Sequence, residues 1–166
     1  SLLILALLLD GVAASCRARA ILEAPGPAQA VFRASDLDAH AERTWRRRLG
    51  KEAEARGLGC RRHCERLARI FARLSKATSS LVEAPPMNWQ LAVGDDPREG
   101  AWALAGGRVY VSEHFVDEYE LTDGELAFVL AHEMSHVLLQ HENEALTVAA
   151  AFVPRGVSLS VESLYE

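Results

Sequence analysis

Apolar residues recur along this chain at two different periods, and the switch between them marks out its elements. From Ser35 to about Arg56 and from Cys60 to Ala77 they fall at spacings of three and four, the period of a helix. Leu37, Trp45 and Leu49 mark the first apolar face; Cys60, Cys64, Leu67, Phe71 and Leu74 mark the second. Ser35 or Asp36 caps the first helix, Gly57 and Gly59 break it, and Pro85 and Pro86 close the helical region. The period then drops to two. Asn88 to Val93 alternates, with Trp89, Leu91 and Val93 on one side, and Ala101 to Ala105 and Arg108 to Ser112 flank Gly106 and Gly107, a pair that tolerates the positive φ of a hairpin turn. Three strands in a small antiparallel sheet are predicted, and such a sheet needs a helix against it. A short helical turn near Phe115 to Tyr119 comes next. Thr122 and Glu125 then form a capping box for a helix expected to run to Ala151, before Pro154 and Gly156. The pattern is α+β: helices packed on a three-stranded sheet.

With 166 residues, 49% of them hydrophobic, the chain can bury one ordinary core, and residues 35–166 are expected to form a single domain. The net charge of -5 argues against a nucleic-acid partner, whose phosphates call for a basic surface. Arg43 and Arg46 to Arg48 are a local basic cluster, but Glu42, Lys51 and Glu52 around them make it a solvated helix face.

Ser1 to Leu9 is an apolar run too short to span a bilayer, followed by small residues and Cys16, the shape of a secretory segment and its cleavage site. Residues 1–20 therefore read as an export signal. Val12 to Cys16 resembles a bacterial lipobox, which makes Cys16 a lipidation candidate; cleavage after Ala20 and a buried N-terminal helix are the alternatives. Residues 21–34, with Pro25, Gly26 and Pro27, have the composition of a tether. For Cys60 and Cys64, four residues apart, a disulfide and buried free thiols are both open, and a metal cluster with His63 is a third reading.

The candidate chemistry lies in Leu126 to His141, LAFVLAHEMSHVLLQH. Residues four apart on a helix share a face, so His132 and His136 can offer two nitrogens to one metal ion, with Glu133 beside its open position as a general base. The flanking residues are apolar nearly all round, which predicts a buried helix. Unpartnered imidazoles and a carboxylate inside it would each cost about 1–3 kcal/mol, and a metal ion supplies the partner.

The stretches GAWALAGGRVYVS (Gly100 to Ser112) and DGELAFVLAHEMSHVLLQH (Asp123 to His141), with the distance between them, resemble the gluzincin metallopeptidase family of the CAAX prenyl protease and HtpX, nearest its periplasmic lipoprotein branch. Gly100 and Ala105 stand where that family usually has Asn and Pro. The resemblance implies a zincin-like fold and a zinc endopeptidase of exported or membrane-associated misfolded proteins. His132 and His136 would bind one Zn2+, Glu133 would be general base and proton shuttle, and His141 would give structural support. It places the strand Arg108 to Ser112 near the cleft, and implies polypeptide substrates, a periplasmic location and a lipid anchor. The family's third zinc ligand is a glutamate on a later helix. Within this chain Glu162 is the candidate, since Glu142 and Glu144 point away from the histidine face; otherwise the sequence is a fragment, truncated at both ends, that stops before the ligand. A catalytically inactive, chaperone-like or scaffolding lipoprotein with the same fold is the second reading.

Overall fold

A computed structural model describes residues 32–56, 59–80, 87–150, 160 and 161. The elements are α1 (Ala34–Arg56), α2 (Cys64–Thr78), β1 (Gln90–Gly94), β2 (Ala101–Leu104), β3 (Arg108–Ser112), α3 (Glu113–Glu118), α4 (Asp123–Leu138) and α5 (His141–Ala150). Cys16 and Glu162 lie outside the described residues, as do the proposed signal segment and most of the tether. Among the described residues no helix is long and apolar enough to cross a membrane.

The fold is α+β, but the sheet is mixed rather than antiparallel. β3 is the central strand: β2 pairs with it antiparallel through the Gly106–Gly107 turn, while β1 pairs with it parallel, Leu91 opposite Val109 and Val93 opposite Val111. The two turn glycines have φ of 79° and 86°, and a Cβ on Gly107 would come within 3.0 Å of the Asn88 carbonyl oxygen. The expected hairpin is therefore present. The expectation of an antiparallel partner for β1 fails because β1 joins the far side of β3, leaving β2 as an edge.

Alternation along β3 gives the sheet two different faces. Val109 and Val111 pack into the main core with Leu67, Ile70 and Phe71 of α2 and Leu126, Leu130 and Met134 of α4. On the other face Tyr110 stacks on Trp102 at 4.8 Å between ring centroids, and Trp45 of α1 meets Trp102 edge-on at 5.7 Å. Buried Arg108 fixes α1 there through Asp38 at 2.6 Å and Glu42 at 2.7 Å. Glu52, further along α1, accepts the Tyr110 hydroxyl at 2.7 Å and the Asp95 N–H at 2.6 Å. Phe32, within the expected tether, is buried with Leu37, Leu146 and Val161 in a second small cluster.

The Cys60 to Ala77 helix starts late. Cys60 precedes α2 in a turn and packs against the core, whereas Cys64 is exposed and is no part of an apolar stripe. The structure joins the two sulfurs, with the alpha carbons 5.3 Å apart. Cys60 Sγ also lies 3.2 Å from Glu113 Oε1, but a disulfide sulfur has no hydrogen to give. The donors to that buried carboxylate are the backbone N–H groups of Arg61, Arg62 and His63, at 2.9, 2.7 and 2.8 Å.

Asp96 links the end of α1 to the loop before β2. It accepts from Arg98 at 2.9 Å and Arg56 at 3.0 Å. The Arg98 bond holds its carboxyl at about 2, below the ordinary 3.8, against the opposing effect of burial. A depressed folded-state pKa means that the unfolded chain binds more protons, so the stabilisation is complete above pH 4 and is lost as pH falls toward 2. Arg98 is 77% exposed and solvent-screened, so its size is on the order of 1 kcal/mol. Thermal melts of wild type and Asp96→Asn are expected to differ at pH 6 and to converge near pH 2; a gap that persists at the lower pH would rule out this origin.

Candidate metal centre

The catalytic candidates sit on α4, whose start is fixed by the expected capping box. Thr122 Oγ1 accepts the Glu125 N–H at 3.3 Å, and Glu125 Oε2 accepts the Thr122 N–H at 2.8 Å. Arg66 and Arg69 of α2 both reach Asp123 in the first turn, at 2.6 and 2.7 Å. Leu126, Leu130 and Met134, at spacings of four, are fully buried and set the rotation of the helix about its axis.

That rotation puts His132 and His136 on the exposed side, contrary to the expectation of a helix buried all round. Phe128, one turn before His132, is 72% exposed, and Leu139 is 37% exposed. The apolar residues around the motif do not enclose it, so the burial penalty invoked for the two imidazoles does not apply to them. Convergence carries the argument instead. His132 Nε2 and His136 Nε2 lie 3.1 Å apart, while two nitrogens on one tetrahedral zinc, at bond lengths of roughly 2.0–2.1 Å, stand roughly 3.3 Å apart. The pair fits one ion with little movement.

His136 Nδ1, on the other edge of the ring, lies 2.7 Å from His141 Nδ1. His141 thus meets His136 away from the Nε2 pair and is placed to orient the ring rather than to share an ion with it. The helix break that allows this is also a departure from expectation. The helix does not continue to Ala151: α4 ends at Leu138, Gln140 takes a φ of 54°, and α5 begins at His141.

Glu133 is half-buried, between the histidine face and β2. Burial raises its carboxyl above the ordinary value; His132, His136 and the Ala103 N–H act in the opposite direction. The strand beside the site is therefore β2, not Arg108 to Ser112 as expected, because β3 has both edges paired. A signal for β2 was within reach: Ala101 and Ala103 are small enough to lie close under α4, and both pack against its core side.

Among the described residues no third ligand atom joins the histidine pair within 4.8 Å, and the one trio that does converge is Cys60, Cys64 and Glu113. Its sulfurs are joined and its carboxylate is engaged by three backbone N–H groups, so it does not fit a metal in this state. His63 is turned to Asp117 instead, 2.6 Å away. Glu142 accepts the Ala105 N–H at 3.3 Å at the end of the hairpin.

Over part of its length the chain is similar to proteins described as metalloproteases. The metalloprotease YcaL of Escherichia coli is 30% identical over 93 residues, covering 56% of this chain and 35% of its own length. The mitochondrial metalloendopeptidase OMA1 of Schizosaccharomyces pombe is 34% identical over 80 residues, 48% of this chain and 23% of its own. The metalloprotease LoiP of Escherichia coli is 29% identical over 82 residues, 49% and 31%. The chain thus spans about a third or less of the length of these curated relatives. The profile of Peptidase family M48 matches residues 61–160, which hold the sheet, α2 and the whole histidine-bearing helix. The chain belongs to Peptidase family M48.

Proposed function

We propose that this chain carries the catalytic helix of a zinc-dependent endopeptidase acting on exported or membrane-associated polypeptides. The observation that carries this reading is the 3.1 Å approach of His132 Nε2 and His136 Nε2, with Glu133 between them and β2, a strand that among the described residues pairs with β3 alone. The apolar Ser1 to Leu9 run and the lipobox-like Val12 to Cys16 support export and a lipid anchor at Cys16. The relatives' description as metalloproteases supports a polypeptide substrate.

His132 and His136 would hold the ion, and His141 would keep the His136 ring in place. Zinc bound there would lower the pKa of water toward about 7 and polarise the peptide carbonyl. Glu133 takes the proton as the water oxygen bonds to the carbonyl carbon, and passes it to the amine nitrogen as the C–N bond breaks. Burial, which raises its carboxyl, suits a group that must hold that proton between the two steps. An extended substrate would add to the open edge of β2 by main-chain hydrogen bonds, which bring its carbonyl alongside α4. The third ligand is a glutamate from a later element, of which Glu162 is the candidate within this sequence.

Metal analysis tests the reading. The full-length gene product is expected to bind about one zinc per chain, and His132→Ala with His136→Ala to bind none. No stoichiometric zinc in the wild type, or zinc retained by the double variant, would end it and favour a non-enzymatic lipoprotein of chaperone or scaffold type.

A further inference from the structure

Between the first turn of α1 and the C-terminal end of α4 lies a cavity of about 450 Å³ with His136 in its wall. Ala34, Leu37, Leu104 and Val137 make it largely apolar. His136, Gln140, His141, Glu142 and Asn143 supply its polar part, and of these Asn143 is the most deeply buried. It is 6% exposed, its Oδ1 has no hydrogen-bond partner among the described residues, and its Nδ2 reaches the Phe32 carbonyl only at 3.5 Å. A buried amide so poorly satisfied is unusual and marks a place where a partner can be gained. The volume is ample for any single side chain and lies within the range of ligand pockets.

The position of the cavity relies on the same strand as the proposed catalysis. Ala103 of β2 lies against Glu133, and Leu104, the next residue, is in the cavity wall. A strand rises about 3.3 Å per residue, so a peptide laid on the β2 edge with its scissile carbonyl at Glu133 passes the cavity within one or two residues. The outer wall is fixed, because Leu37 is buried against Leu146 of α5. Ala34 and Leu37 lie outside residues 61–160, so α1 adds this wall to the part of the chain that the family profile covers.

We propose that this cavity is a specificity pocket for an aromatic side chain with a hydrogen-bond donor at its tip, tyrosine or tryptophan, within two residues of the bond cleaved. The apolar walls take the ring, the Asn143 amide turns to accept the O–H or N–H, and α1 sets the depth. The proposal rests on the endopeptidase reading above.

Quenched-fluorescent peptides, varied at two positions on each side of one bond, test it with the full-length gene product. Tyr or Trp at one position is expected to raise kcat/KM about 10- to 100-fold over Ala, the effect of burying an aromatic ring, with Phe falling between them. Ala34→Trp, on the exposed rim, is expected to bring the Tyr-to-Ala ratio near 1, and Asn143→Leu to erase the Tyr-to-Phe difference. Equal cleavage of Tyr and Ala peptides at all four positions, or a preference untouched by Ala34→Trp, overturns the pocket while leaving a Glu133-dependent peptidase intact. Cleavage that does not depend on Glu133 overturns the endopeptidase reading instead. Titrating labelled Tyr and Ala peptides into the Glu133→Gln protein reads the pocket without turnover, and equal affinities there also overturn it.

Discussion

Replacing Glu133 with Gln in the full-length gene product is expected to lower kcat/KM toward a casein-type substrate about a thousandfold, the scale of a lost general base. Gln is nearly isosteric, and its carbonyl can still accept the Ala103 N–H that contributes to the carboxylate's surroundings. It cannot take a proton from water. The variant should therefore fold and keep its zinc, so that activity and metal content part company. That separation is the informative result, because loss of both would point to structural damage. Cleavage within a factor of two of wild type, with zinc bound, would remove Glu133 from the mechanism. The histidine variants test something different: they should lose metal and activity together.

The second large effect is on stability. Glu113→Ala is expected to destabilise the fold by about 3–5 kcal/mol, since three backbone N–H groups lose the buried carboxylate that accepts them. These N–H groups lead into the first turn of α2, where a negative charge is also favoured by the helix dipole. A chain of this size loses about 2–4 °C of Tm per kcal/mol, so a drop on the order of 10 °C is expected in a melting experiment. Glu113→Gln should recover only part of it, because one of the two oxygens becomes a donor facing donors. A Tm within about 2 °C of wild type for Glu113→Ala would show that the turn is held by the Cys60–Cys64 link alone.

Glu113 also shows where sequence reading stopped. Its role depends on a contact made across fifty residues, and nothing within its own stretch distinguishes it from a surface acid. The Thr122–Glu125 cap and the Gly106–Gly107 hairpin were legible because both are local: the partners are three residues apart or adjacent, and the backbone angles follow from residue type. The parallel partnership of β1 with β3 was not legible, since its register is set by Leu91 and Val93 packing beside Val109 and Val111. The histidine pair was found through helical periodicity, which places both rings on one face whatever surrounds them. How exposed that face is depends on the packing of Leu126, Leu130 and Met134, and Phe128 on the histidine side was the available hint. The end of α4 escaped because Leu139 and Gln140 carry no glycine or proline to announce it.

That unannounced bend at Gln140 has a bearing on any attempt to improve the protein. A non-glycine residue at a φ of 54° is held in a costly conformation, and substituting glycine or smoothing the two helices into a single rod would look like an obvious gain. In a straight helix, however, a residue five positions on is rotated by roughly 140°, and His141 would swing out of reach of His136. The kink is thus the brace for the His136 ring, and a redesign that ironed it out would trade a firmly aimed imidazole for a more regular backbone.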